Sequence, residues 1–143
     1  MRIIITFLML SSTAIVYCQG AKIKPDKAIN RIVNPTAQAE RAKGSSAYTA
    51  KNISLAKTHF QNSLRIDPNY TEAHLNLGRV YEKEDSLILA GNSYDNAVAS
   101  NNVAPRAYYD RGTYNLRLKN YKNAVRDFKA ATSLYNKNTS YNY

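Results

Sequence analysis

The sequence lacks most of the residue types on which enzyme active sites, metal centres and covalent cross-links depend. It contains a single cysteine, Cys18, so no disulfide can form within the chain. Its two histidines, His59 and His74, fit no catalytic or metal-binding pattern, and neither a phosphate-binding glycine loop nor a G-x-S-x-G motif is present. We therefore expect a protein that is not an enzyme and that binds neither a metal nor another cofactor.

Tryptophan is also absent, and 12 tyrosines and 3 phenylalanines supply the bulky side chains. The apolar share of 44% and the charged share of 21% are typical of a globular protein and argue against disorder. A chain of 143 residues is long enough for one ordinary domain. The composition thus predicts one domain whose core is rich in alanine, leucine and tyrosine.

The net charge of +10 suggests a nucleic acid, a membrane surface or an acidic protein as a partner. The basic side chains are concentrated in residues 20–66 and 106–143, whereas residues 67–105 carry a net negative charge. An acidic block between two basic ones would repel a phosphate backbone, so this layout argues against nucleic-acid binding.

The amino terminus has the pattern of a signal peptide. Met1 and Arg2 precede an apolar run over residues 3–17, which is shorter than the ~20 residues that a membrane-spanning helix needs. We interpret residues 1–18 as a signal peptide and expect an exported protein, periplasmic or secreted. Cys18 is either lost with the signal or lipidated as in a bacterial lipoprotein, and only lipidation would tether the protein to a membrane. Residues 19–35 form a basic linker.

An internal repeat begins after this linker. Shifting the chain by 34 residues aligns three glycines, three alanines and three aromatic side chains in the same order. Small residues at these positions let two helices approach closely, and each aromatic lies one helical turn after an alanine. These packing residues are Gly44, Ala56 and Phe60; Gly78, Ala90 and Tyr94; and Gly112, Ala124 and Phe128.

This pattern resembles the tetratricopeptide repeat, a 34-residue helix-turn-helix unit with the signature W-x2-L-G-x2-Y…A-x3-F…P. Leu77-Gly78-Arg79-Val80-Tyr81 reproduces its centre, and Pro68 its end, whereas the third unit has Arg111 and Asn115 where Leu and Tyr would stand. The resemblance implies an all-α fold, a right-handed α-solenoid of three helix-turn-helix units. The domain spans residues 36–138, with units at 37–70, 71–104 and 105–138 and a polar tail at 139–143. We expect helices at 36–51, 53–66, 70–84, 86–100, 105–118 and 121–135.

In this family the first helix of each unit lines a concave groove that binds a peptide or a partner helix. The resemblance therefore implies an adaptor or scaffold function, with a groove lined by Arg41, Tyr48, Leu75, Asn76, Arg79, Arg106, Tyr109, Leu116 and Arg117, together with Gln38, Ser45, Glu72, Glu82 and Thr113. Arg41, Asn76 and Arg106 also match sites at which chaperone-binding members hold a C-terminal carboxylate. Ser45 and Asp110 depart from that clamp.

No capping helix follows the last unit in this sequence, since residues 136–143 are short and polar. We expect the last helix to expose part of a face that bears Val125, Phe128, Leu134 and Tyr135. A homodimer through the C-terminal repeat would cover this face. Alternatively, the protein is an accessory subunit of an envelope complex or secretion machine and docks through it.

Overall fold

The computed structural model describes residues 32–139, and every regular element in that range is an α-helix. The helices are α1 (Pro35–Thr49), α2 (Ile53–Ile66), α3 (Thr71–Lys83), α4 (Leu87–Ser100), α5 (Pro105–Arg117) and α6 (Tyr121–Thr139). This confirms the predicted all-α fold. The predicted signal peptide, Cys18, most of the linker and nearly all of the tail lie outside the described residues.

The first two helices begin where asparagine supplies a cap. The Asn34 side chain accepts a hydrogen bond from the Thr36 backbone N–H at 2.9 Å, and Pro35 holds the first helical position. The Asn52 side chain accepts from the Leu55 N–H at 3.1 Å in the same way. These caps satisfy backbone donors that a helix start leaves unpaired.

The turns inside the three helix pairs share one geometry. In the first, the N–H of Asn52 donates to the carbonyl of Ala47 at 2.9 Å and the N–H of Lys51 donates to that of Tyr48 at 3.0 Å. This is the Schellman pattern, which needs a left-handed residue just after the helix. The left-handed residues are Lys51, Asp85 and Lys119, with φ of 61°, 56° and 59°.

Within each pair, a glycine of the first helix lies against an aromatic ring of the second. A Cβ on Gly44 would stand 2.6 Å from the ring of Phe60, which is 1% exposed. The nearest ring atoms would be 2.9 Å away both for Gly78 against Tyr94 and for Gly112 against Phe128. Real Cβ atoms do not approach carbon this closely, so only glycine permits the observed helix separation.

Between pairs, the first helix of one pair packs against both helices of the preceding pair. At the first junction Tyr70 and Ala73 are buried against Ala37 and Leu64. At the second junction Ala104 and Ala107 pack against Leu75, Val98 and Ala97, all in one core cluster. The same arrangement is used twice, which makes the described residues a solenoid of stacked helix pairs.

The third pair replaces two apolar packing residues with a buried polar network. Asp127, 1% exposed, accepts hydrogen bonds from Arg111 Nε at 3.0 Å and Nη2 at 2.7 Å, and from Asn115 Nδ2 at 3.0 Å. The guanidinium of Arg111 also lies 5.6 Å from the ring centre of Tyr108. The two departures from the family signature, Arg111 and Asn115, thus share one buried partner.

Five helices lie within two residues of their predicted bounds, but the predicted end of the sixth is wrong. Helix α6 is 19 residues long and runs to Thr139, four residues beyond the expected end at Tyr135. The ends of α2 and α4 are followed by Asp67 and Asn101, whose side chains accept the N–H two residues further on, at 3.3 and 3.2 Å. Tyr135 has no such acceptor, so the helix continues. None of the helices between residues 32 and 139 combines the length and the hydropathy needed to cross a bilayer.

Candidate functional site

A central cavity of about 180 Å³ lies between α1 and α3, on the side predicted to form the groove. Its lining combines an aromatic ring, an amide, a guanidinium and small hydroxyl groups, which suits contact with a partly polar chain segment. The residues that line it are Ser45, Tyr48, Thr49, Phe60, Asn76 and Arg79. Four of the fourteen predicted groove residues therefore meet at this cavity, namely Ser45, Tyr48, Asn76 and Arg79.

Two other predicted groove residues serve the packing between pairs. Leu75 is 3% exposed and lies in the core cluster with Ala107, so the expectation that it lines an accessible groove is wrong. Its position is covered by the next helix pair. Arg41 donates from Nε to the hydroxyl of Tyr70 at 2.9 Å and from Nη1 to Ser45 Oγ at 3.4 Å. This guanidinium ties α1 to the start of α3.

A larger terminal cleft of about 710 Å³ opens between α5 and α6. Two predicted groove residues, Arg106 and Tyr109, line it from α5, and Arg79 reaches it from α3. Tyr109 is 58% exposed, although its ring centre lies 5.7 Å from that of Phe128. The full lining is Arg79, Pro105, Arg106, Tyr109, Asp110, Ala131, Thr132 and Tyr135.

Three of the four arginines predicted to line the groove are paired with carboxylates. Arg79 Nη2 donates to Asp110 Oδ2 at 2.6 Å, and Arg106 Nε lies 3.6 Å from the same oxygen. Arg117 Nη2 lies 3.5 Å from Glu82 Oε1. Two guanidiniums therefore share one carboxylate, and the Arg106 side chain is 67% exposed. A partner carboxylate that bound here would compete with Asp110.

Leu116, another predicted groove residue, is accessible in the structure, as is part of the predicted exposed face of α6. Leu116 is 47% exposed on α5, and Val125 and Tyr135 of α6 are 52% and 62% exposed. Phe128 and Leu134 are half-buried. Sequence reasoning missed Thr49, Pro105, Ala131 and Thr132 as lining residues, and it named Asp110 only as a departure from the carboxylate clamp. Only the three-dimensional stacking brings these positions next to the predicted ones.

Both histidines have structural partners. Nδ1 of His59 donates to Glu40 at 2.9 Å, and Nε2 of His74 donates to the carbonyl of Pro68 at 2.8 Å. Hydrogen bonds from Lys43 and His59 lower the pKa of Glu40 to about 2, so its carboxylate is ionised at neutral pH and holds no proton to donate. No group of three His, Cys, Asp or Glu side chains with metal-binding geometry occurs in residues 32–139.

Comparison with known proteins agrees with this architecture. Residues 89–139 match the family model described as tetratricopeptide repeat. MamA superposes with a TM-score of 0.67 at 23% identity, over 73% of this chain and 61% of that chain. The fold is that of the tetratricopeptide repeat. No curated protein sequence matches the chain.

Two further structures with the tetratricopeptide fold contain bound partners. The first repeat domain of Spaghetti (RPAP3), bound to the HSP90 peptide SRMEEVD, gives a TM-score of 0.65 at 21% identity over 70% of this chain and 79% of that one. The TPR2B domain of yeast Sti1 in complex with pHsp70 gives 0.66 at 20% identity, over 71% and 81%. The tetratricopeptide fold is generally a non-catalytic interaction module, which agrees with the expectation that this chain is not an enzyme.

Proposed function

We propose that the three helix pairs, 37–70, 71–104 and 105–138, are tetratricopeptide repeats that bind a peptide or an extended segment of a partner protein. The observation that carries the proposal is the central cavity, where Tyr48, Asn76 and Arg79 from two first helices meet. Structural neighbours with this fold were solved with HSP90 and Hsp70 peptides. The protein then acts as an adaptor or scaffold.

The charges favour a partner segment that carries a carboxylate. Arg79 and Arg106 both face Asp110, so the site already has the geometry to hold one carboxylate between two guanidiniums. A C-terminal carboxylate clamp in the usual arrangement gets less support, because Arg41 is bonded to Tyr70 and Ser45. We therefore expect an acidic side chain of the partner to be recognised, with Asp110 as its internal competitor.

Selection of peptides from a library displayed on phage, followed by fluorescence anisotropy, tests the proposal. Asn76→Ala and Tyr48→Ala should each weaken binding of the selected peptides at least tenfold, the size of a typical hot spot. Thr58→Ala, on an exposed face of α2, is the matched control. Asp110→Asn should tighten peptides that carry a carboxylate. Equal affinity for all four variants and the original chain would show that the peptides bind elsewhere.

Export is a separate part of the proposal. It rests on the basic start and the apolar run over residues 3–17, with either a cut near Gln19 or lipidation at Cys18. Mass spectrometry of the mature protein, expressed in a host that secretes proteins, distinguishes the two. A product that still begins at Met1 would contradict export with cleavage.

The second candidate function is that of an accessory subunit in a larger envelope complex. The observation that favours it is the exposed face of α6, on which Val125 and Tyr135 lie more than half exposed. Purification from envelope extract should then recover the chain with stoichiometric partners. Recovery of the chain alone, with its groove peptides still able to bind, would favour the adaptor.

A further inference from the structure

The terminal cleft is the third copy of a slot that the fold fills twice. Three residues lie at the centre of this cleft. The residues 34 and 68 positions before each of them occupy equivalent places in the second and first helix pairs. In those two pairs the first helix of the next pair covers them. The three sets are Arg41, Ser63 and Leu64; Leu75, Ala97 and Val98; and Tyr109, Ala131 and Thr132. No helix in residues 32–139 covers the third set.

The two filled copies show which kind of element fits. Ala73 covers the first slot and Ala107 the second, both with no exposed surface. Each belongs to the first turn of a helix that lies against both helices of the preceding pair. A small side chain at the contact lets that helix approach closely. By this equivalence, one more helix with alanine at the same place would pack in the open slot, which has a volume of about 710 Å³.

One further repeat position, on the second helix of each pair, indicates which charge a helix bound in the slot should carry. At this position in the first pair, Gln61 donates to the hydroxyl of Tyr81 in the next pair at 3.5 Å. In the second pair, Asp95 accepts from Arg111 Nη1 at 2.9 Å. In both cases the partner lies on the helix that fills the slot. The third pair has Lys129 at this position, so a bound helix with a carboxylate next to Lys129 would form an ion pair.

In a second copy of this chain, neither α6 nor the position of α1 that would meet Lys129 supplies that carboxylate. The exposed charged side chains of α6 within the described residues are all basic, namely Lys122, Arg126, Lys129 and Lys137. The one acid of this helix, Asp127, is 1% exposed and already bonded. Stacking of α1 from a second copy into the slot would bring Lys43, the counterpart of Arg111, against Lys129. Like charges therefore oppose both modes of self-association.

We propose that the terminal cleft binds one amphipathic α-helix of a different, acidic protein, with an alanine at the contact and a carboxylate one turn later that pairs with Lys129. The site is distinct from the central cavity and takes a helix where the cavity takes an extended segment. Arg79 borders both sites, but Lys129, Ala131 and Thr132, on which the helix contact depends, line no part of the central cavity, so the proposal does not rest on the groove function.

A helix copied from the chain itself is the probe. A fluorescein-labelled peptide of residues 104–119 with Arg111→Glu carries both required features, and the same peptide with Arg111 retained is the control. The full-length chain should bind the glutamate peptide about two- to fivefold more tightly, the range for one exposed ion pair, and Lys129→Glu should reverse the preference. Unchanged preference in Lys129→Glu, or no saturable binding of either peptide up to about 1 mM, overturns the proposal.

Location of the binding is tested by filling the slot. Thr132→Trp should weaken both peptides at least tenfold, while Thr58→Trp should leave their affinity unchanged. The two threonines are matched, because each lies exposed on a second helix and donates to the carbonyl four residues earlier. Equal effects of the two variants would contradict a site in the cleft. Sedimentation that shows a dimer which Thr132→Trp dissociates would overturn the proposal in favour of a second copy.

Discussion

Substitution of Gly44 by alanine tests the packing that organises every helix pair. The added Cβ would lie 2.6 and 2.7 Å from two ring carbons of Phe60, about 1 Å inside a comfortable contact. The ring is 1% exposed and cannot move aside. Overpacking of this kind costs about 1–3 kcal/mol, whereas removing a glycine from a helix returns up to ~1 kcal/mol. We therefore expect a net loss of about 1–2 kcal/mol in the free energy of unfolding.

The other helical glycines give a graded series and a control. Gly78→Ala should cost nearly as much, because Tyr94 is 2% exposed, and Gly112→Ala less, because Phe128 is only half-buried. The control is Gly91→Ala, whose Cβ would meet first the hydroxyl end of Tyr114, at 3.0 Å, and which should be neutral or stabilising.

Thermal and urea unfolding followed by circular dichroism measures this series. For a domain of this size each kcal/mol corresponds to about 4–8 °C in the melting temperature. The expected order of loss is Gly44, Gly78, Gly112 and then Gly91. A melting temperature for Gly44→Ala equal to or above that of the original chain would refute the claim that ring contact, rather than helix propensity, fixes these glycines.

Three further substitutions test other parts of the structure by the same unfolding measurements. Asp127→Asn should lower stability by about 2–4 kcal/mol, because Arg111 loses its buried counter-charge, and an unchanged stability would contradict that role. Lys119→Gly should raise stability by about 1 kcal/mol, because glycine adopts the left-handed conformation of this residue without strain. Asp85→Gly should raise it by less, since aspartate tolerates that conformation better than lysine. A loss of stability in both variants would contradict backbone strain at these turns. Burial lowers the pKa of His74 in the folded chain relative to the unfolded chain. The unfolded chain therefore binds the proton at a higher pH, and the free energy of unfolding falls as the pH drops below about 6.5. His74→Tyr should flatten that fall between about pH 7.5 and 5, and an unaltered slope would assign it to other groups.

The spacing of small and aromatic residues was sufficient to predict the helices and their pairing. Gly44 and Phe60 are 16 residues apart, as are Gly78 and Tyr94, and this separation fixes a helix, a turn and a returning helix. Such a pattern can be read from the sequence because both partners recur in every unit. The three left-handed turn residues were not recognised, since none of them is glycine.

Contacts that occur only once could not be predicted in the same way. A shift by 34 residues compares equivalent positions, but it does not show which side chains meet across the stack. The pairing of Arg79 with Asp110, and the shared contact of Arg111 and Asn115 with Asp127, require the relative placement of neighbouring helices. The wrong prediction for Leu75 has the same origin, because only the stacked structure shows that the next helix pair covers its repeat position.

The length of α6 and the open cleft have a common cause in one repeat position. Asp67 and Asn101 end their helices by accepting an N–H two residues ahead, and the chain then turns back so that the next helix covers the slot. Tyr135 occupies this position in the third pair. Its side chain cannot accept the N–H two residues ahead as a short carboxylate or amide does, the helix runs on to Thr139, and the ring lines the cleft instead. The side chain that fails to end the helix is therefore also part of the surface offered to a partner.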